Sequence, residues 1–151
     1  MPKRSLLAMV ALLALVITGM ADDEVKLEGI KCVVNAKADA KADKTRDYKK
    51  GKVYFCCDNC PKAFDKDAEK FETSANHQLV ATGQYKQTKC PISGKDVDPE
   101  KKVKVGGVEV TFCCGNCQGK VEKEKGTAQT ELVFSKAAFE KGGFEPVKKE
   151  K

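Results

Sequence analysis

Histidine and aromatic side chains are scarce in this chain of 151 residues, which has one His, no Trp, seven Phe and three Tyr. A single histidine excludes a metalloprotease helix with paired histidines, and neither a Ser/His/Asp set nor a paired-carboxylate site stands out, so an enzyme is not expected. Few rings among lysines interleaved with acids argue against a dedicated nucleic-acid face and for a solvated, mixed surface. No cysteine precedes Cys32, so a lipid-attachment cysteine close behind the N-terminus is also missing.

Long apolar runs are absent, with one exception. Lys3 and Arg4 precede an apolar run from Leu6 to Ile17, which is followed by Gly19-Met20-Ala21 and then Asp22-Asp23-Glu24. That order reads as a secretory signal peptide over residues 1–21, cleaved after Ala21. The run falls short of the roughly 20 residues a spanning helix needs, so no membrane span is expected after cleavage. The expected location is exported, periplasmic or secreted. Cleavage removes two bases and no acid, leaving 26 Lys and Arg against 22 Asp and Glu, a net charge of +4.

What the chain has in excess is cysteine, eight in all. Val53-Tyr54-Phe55-Cys56-Cys57-Asp58-Asn59-Cys60 and Val110-Thr111-Phe112-Cys113-Cys114-Gly115-Asn116-Cys117 superimpose at an offset of 57, and the upstream Cys32 and Cys90 are offset by 58. Two equivalent sets of four therefore use every cysteine, which is the mark of a tandem repeat with a single-residue length change. The expected organisation is a first module with its covering segment over residues 22–86, a second over 87–147 and a frayed tail over 148–151. Modules this small bury little apolar surface and need staples.

The local patterns place these motifs. Val103, Val105, Val108 and Val110 flank Gly106-Gly107, which predicts a hairpin with a tight glycine turn, not a phosphate cradle. Tyr48 to Phe55 is a weaker version of it. Ala63, Phe64, Ala68 and Phe71 recur at helical spacing after Cys60, and a short helix ending near Gly126 is expected after Cys117. The low-complexity run from Ala36 to Lys44 is expected to be a solvated helix or a flexible loop. Leu79 and Val80, with Leu132, Val133, Phe134, Phe139 and Phe144, are expected to cover the modules and join them.

Thiolates are soft donors, and a lone cysteine plus a cluster where a strand passes into a helix suits a tetrahedral site. Cys56 and Cys60, like Cys113 and Cys117, lie four apart, one face of a helix, whose N-terminus stabilises thiolates. In sequence the two modules resemble the TRASH/YHS family, on the strength of Cys32 followed by Cys56-x3-Cys60, Cys90-Pro91-Ile92-Ser93-Gly94-Lys95 and Phe112-Cys113-Cys114-x2-Cys117. The resemblance implies an α+β fold of two small treble-clef or zinc-ribbon-like modules, each a β-hairpin plus a short helix, and a role in heavy-metal handling. It implies Cys32, Cys56 and Cys60 as ligands in the first module and Cys90, Cys113 and Cys117 in the second. Related fingers begin Cys-x2-Cys, where this chain has Asn35 and Ser93, so the fourth donor stays open, with Cys57 and Cys114 as additional candidates. The expected cofactor is Zn2+ or Cu+, and the expected partners are the ions and a protein that takes the metal over. His77, without a counterpart in the second repeat, is expected to be exposed or hydrogen-bonded. Two other readings stand beside this one: disulfides stapling a structural envelope module, and a thiol–disulfide oxidoreductase using Cys57-x2-Cys60 and Cys114-x2-Cys117.

Overall fold

The structure, a computed structural model, describes residues 25–148, so the expected signal peptide lies outside the described residues, as does most of the expected frayed tail. The fold is α+β, with small hairpins and short helices in an order that repeats. Strands β1 (Lys41–Tyr48) and β2 (Gly51–Phe55) form the first hairpin, and helix α1 (Asn59–Lys66) follows the cysteine cluster. A 3-10 turn (Glu69–Phe71), helix α2 (Glu72–Ala81) and the short strand β3 (Tyr85–Lys86) complete this half. The second half repeats the pattern with β4 (Asp98–Val105), β5 (Val108–Phe112), α3 (Gly115–Lys123), α4 (Gly126–Phe134), α5 (Lys136–Lys141) and β6 (Glu145–Pro146). No helix among the described residues is long and apolar enough to cross a membrane.

The hairpins match in detail. Lys41 pairs with Phe55 and Asp98 with Phe112, and each ladder shifts register before resuming at Thr45–Tyr54 and Lys102–Thr111. Both are closed by two-residue loops. Gly106 and Gly107 have φ of 56° and 88°, the left-handed values that a type I′ turn demands of both residues. In the first hairpin Lys49 takes a φ of 53° that glycine would adopt more readily, which is why its sequence signal is weaker.

Two expectations are corrected. The stretch from Ala36 to Lys44 is not a helix, and only its first five residues are loop: they close the turn after Cys32, where the Cys32 N–H donates to the Ala38 carbonyl (2.9 Å), and the chain then enters β1 at Lys41. Its alternation of small and charged residues suits a strand exposed on both faces, which carries no apolar signature. Helical spacing from Ala63 to Phe71 does not mark one helix either. The α1 helix ends at Lys66 with the Asp67 N–H donating to the Ala63 and Phe64 carbonyls, and Ala68 and Phe71 fall in and beside the 3-10 turn.

Burial is shared between the halves. Val53, Phe55 and Phe64 from the first and Val105, Val110, Phe112 and Val121 from the second join one buried cluster with Leu79, Val133, Phe134, Phe139 and Phe144. The expected covering segments do cover and join. Helix α2 packs on α4, and β3 pairs antiparallel with β6 through Tyr85–Pro146 and Lys86–Glu145. Leu132 is the departure, facing outward at 38% exposure.

Candidate metal centres

Each half brings three sulfurs together from three places in the chain. Cys32, Cys56 and Cys60 form one triad and Cys90, Cys113 and Cys117 the other, with all sulfurs in a triad within 4.8 Å of one another. The first cysteine sits in the loop before the hairpin, the second at the end of the outgoing strand and the third in the first turn of the helix. A turn of helix has unbonded N–H groups there, and these favour the thiolates of Cys57 and Cys114 at the junction. Cys32 and Cys90 are buried at 2% and 0% exposure, and Cys60 and Cys117 are buried as well.

The separations discriminate between chemistries. All eight cysteines are free thiols. Cys56 Sγ lies 3.6 Å from Cys60 Sγ, and Cys113 Sγ lies 3.7 Å from Cys117 Sγ. A disulfide requires about 2.05 Å. Two sulfurs each about 2.3 Å from one tetrahedral zinc ion lie about 3.8 Å apart. The Cys56–Cys60 and Cys113–Cys117 pairs therefore have the spacing of a chelate and not of a covalent bridge, and Cys32 and Cys90 lie within 4.8 Å of them.

Cys57 and Cys114 are not members of the triads. Cys57 is exposed, with its Sγ 3.4 Å from Cys60 Sγ, and Cys114 Sγ lies 3.6 Å from Cys113 Sγ. The N–H groups of Cys60 and Asn59 bring the Cys57 thiol down to about 7, and the Cys117 N–H with the Cys113 side chain lowers Cys114. Within the triads, burial works to raise Cys32, but N–H groups led by that of Asn35 bring it below the ordinary thiol value. Burial likewise opposes ionisation at Cys90, while hydrogen bonds led by the Ser93 hydroxyl hold it at about 7. Desolvation and the neighbouring thiols push Cys60 and Cys117 up. A divalent or monovalent soft cation in the triad reverses that cost by replacing the protons.

The single-residue difference between the repeats lies in the loop after the first cysteine. Cys32 N–H reaches six residues ahead to Ala38, whereas Cys90 N–H reaches five ahead to the Lys95 carbonyl (2.8 Å). Gly94, at φ 71°, permits the tighter path. Both loops end on the same bridge and ion pair, Lys31 with Asp39 and Lys89 with Asp96. In the shorter loop the Ser93 hydroxyl turns inward, 3.1 Å from Cys113 Sγ. In the longer one Asn35 Oδ1 instead accepts the Lys37 N–H (3.2 Å), and only the Asn35 backbone N–H faces Cys32 Sγ (3.4 Å).

His77 belongs to neither triad. Its Nε2–H donates to the Gly106 carbonyl (3.0 Å) and its ring meets Phe134 edge-on at 5.0 Å. Sequence reasoning missed two glutamines that hold the sites. Gln78 accepts from the Tyr54 N–H (2.7 Å) and donates to the Lys31 and Tyr54 carbonyls (2.8 and 3.0 Å). Gln87 does the same for Thr111 and Lys89. Each amide ties the strand before a cysteine pair to the loop carrying the lone cysteine. They stand at unrelated positions in the two repeats, so no sequence offset points to them.

No family model matches the chain, and neither a curated protein nor a solved structure matches it.

Proposed function

We propose that the protein is an exported metal-binding protein, not an enzyme, whose two cysteine triads each hold a soft or borderline transition-metal ion, zinc or copper(I). The ion is held for buffering, for delivery to a partner protein or to brace the fold. The observation that carries this reading is the pair of sulfur triads at chelate spacing, built alike in both halves. Resemblance to the TRASH/YHS family and a treble-clef-like plan, with hairpin and helix contributing sulfurs to one point, agree with it. Export rests on the N-terminal apolar run. Elemental analysis of the protein from its native compartment, without added metal and beside a thiol count after denaturation, tests the reading. About two ions per chain with the thiols free is the expected result. No metal and few free thiols would replace it with the disulfide-stapled module.

A further inference from the structure

The two triads have nearly the same sulfurs and different surroundings. In the second, the loop after Cys90 is one residue shorter, and the hydroxyl of Ser93 stands 3.1 Å from Cys113 Sγ while accepting the Lys95 N–H at 3.3 Å. That contact is shorter than the 3.6 and 3.7 Å between Cys113 and its neighbouring sulfurs. Cys114, the other candidate fourth donor, touches Cys113 without joining the triad. Ser93 is exposed, so the side of the triad it occupies is also the side open to water. In the first half the corresponding loop residue, Asn35, spends its side-chain oxygen on Lys37 and offers no side-chain donor to the sulfurs.

A tetrahedral ion held by three sulfurs has one remaining vertex, and what fills it sets whether the site is closed or exchangeable. Three thiolates and an oxygen suit a borderline divalent ion, whereas a triad with sulfur alone suits a softer one. We propose that the Ser93 hydroxyl is the fourth donor of the second site, an oxygen at its solvent-facing vertex, so that the two sites differ in donor set and in the ion they prefer. This rests on the metal-binding reading of the triads and names the ligand that completes one of them. Binding is a ligand exchange: the three thiols release their protons to solvent as their sulfurs replace waters on the ion, and the neutral hydroxyl, keeping its own proton, replaces one more water.

Cobalt(II), whose visible absorption reports the number and kind of its donors, is the probe, titrated into the full protein under reductant and without oxygen. The wild type binds two ions. Replacing Ser93→Ala weakens one of them and changes its visible band; a loss of about 10- to 100-fold with the band unmoved marks an outer-shell hydrogen bond to Cys113 and overturns the assignment. Ser93→Cys moves that ion's band to longer wavelength and strengthens its sulfur-to-metal charge-transfer absorption, as a fourth thiolate requires. Asn35→Cys leaves both ions unchanged, because that side chain is turned away. Two bound ions that ignore both Ser93 variants overturn the Ser93 assignment and leave the triads standing, and so does an Asn35→Cys variant that gains a thiolate at the first site as fully as Ser93→Cys does at the second. Absence of bound cobalt and zinc in the reduced wild type removes the metal reading and this assignment together.

Discussion

At the scale of single residues, the sites depend on side chains that never touch the sulfurs. Gln78 is 3% exposed and makes three hydrogen bonds that clamp Tyr54, two residues before Cys56, to Lys31, which precedes Cys32. Burying an amide is tolerable only because every hydrogen-bonding group on it is used, and no buried side-chain nitrogen or oxygen among the described residues lacks a partner. Replacing Gln78→Leu keeps the volume and removes all three bonds. The expected cost is about 2 to 4 kcal/mol in thermal unfolding, with metal affinity reduced at the first site and unchanged at the second. Equal weakening of both sites would mean that the clamp is not local. Gln78 had no signal in the sequence because a buried amide is recognised by its partners, and these lie 24 and 47 residues away; Gln87 likewise depends on Thr111, 24 residues away.

At the scale of elements, the informative junction is where helix α2 of the first half meets the β4–β5 turn of the second. His77 on α2 donates to the Gly106 carbonyl, and a side chain at Gly106 would run into the imidazole. Burial holds the His77 pKa below the usual imidazole value, with the Gly106 and Val105 carbonyls partly opposing it. The folded chain therefore binds fewer protons at His77 than the unfolded chain, whose imidazole titrates near about 6.5. The stability from burying neutral His77 is complete above that value and is lost as pH falls through it toward the lower folded value. In parallel melts of the wild type and His77→Gln, the advantage of the wild type should shrink between about pH 7.5 and 5.5. A gap that stays constant with pH would show that the imidazole does not titrate on unfolding. The hairpins were legible in advance because alternating valines around Gly106-Gly107 specify a turn locally, while β1 was hidden by a composition of Ala, Lys and Asp with no apolar face.

At the scale of the whole molecule, the repeat does not make two independent bodies. Phe134 is 0% exposed, and its ring meets His77 of the first half and, 5.7 Å away, Phe144 of the second. Its carbonyl accepts from Asn76 Nδ2 (2.9 Å), so a single residue is bound into both halves. Truncation by Phe134→Ala should destabilise by about 3 to 5 kcal/mol. One unfolding transition should remain, and hydrogen exchange should quicken in both hairpins. Two resolved transitions, with the first hairpin unaffected, would show that the halves unfold separately. Stacking the modules on a common set of phenylalanines offsets the small core that either one has alone.

The sequence by itself determined two equivalent sets of four cysteines and the hairpin-then-helix plan, because those follow from a repeat at an offset of 57 and from local turn and helix chemistry, whereas the three cysteines of each set that converge were implied only by the family resemblance. It also located the residues that cover the modules, Leu132 excepted, since apolar side chains outside the cysteine motifs have few other places to go. Only the tertiary structure decided that Cys57 and Cys114 stand beside the triads, that Ser93 turns inward where Asn35 turns away, and that Gln78 and Gln87 perform one task from unrelated positions. The reason is directional. A spacing along the chain fixes which residues can approach, whereas the side chain that arrives depends on loop path and on hydrogen-bond partners supplied by other segments, and one residue of loop length is enough to reverse it.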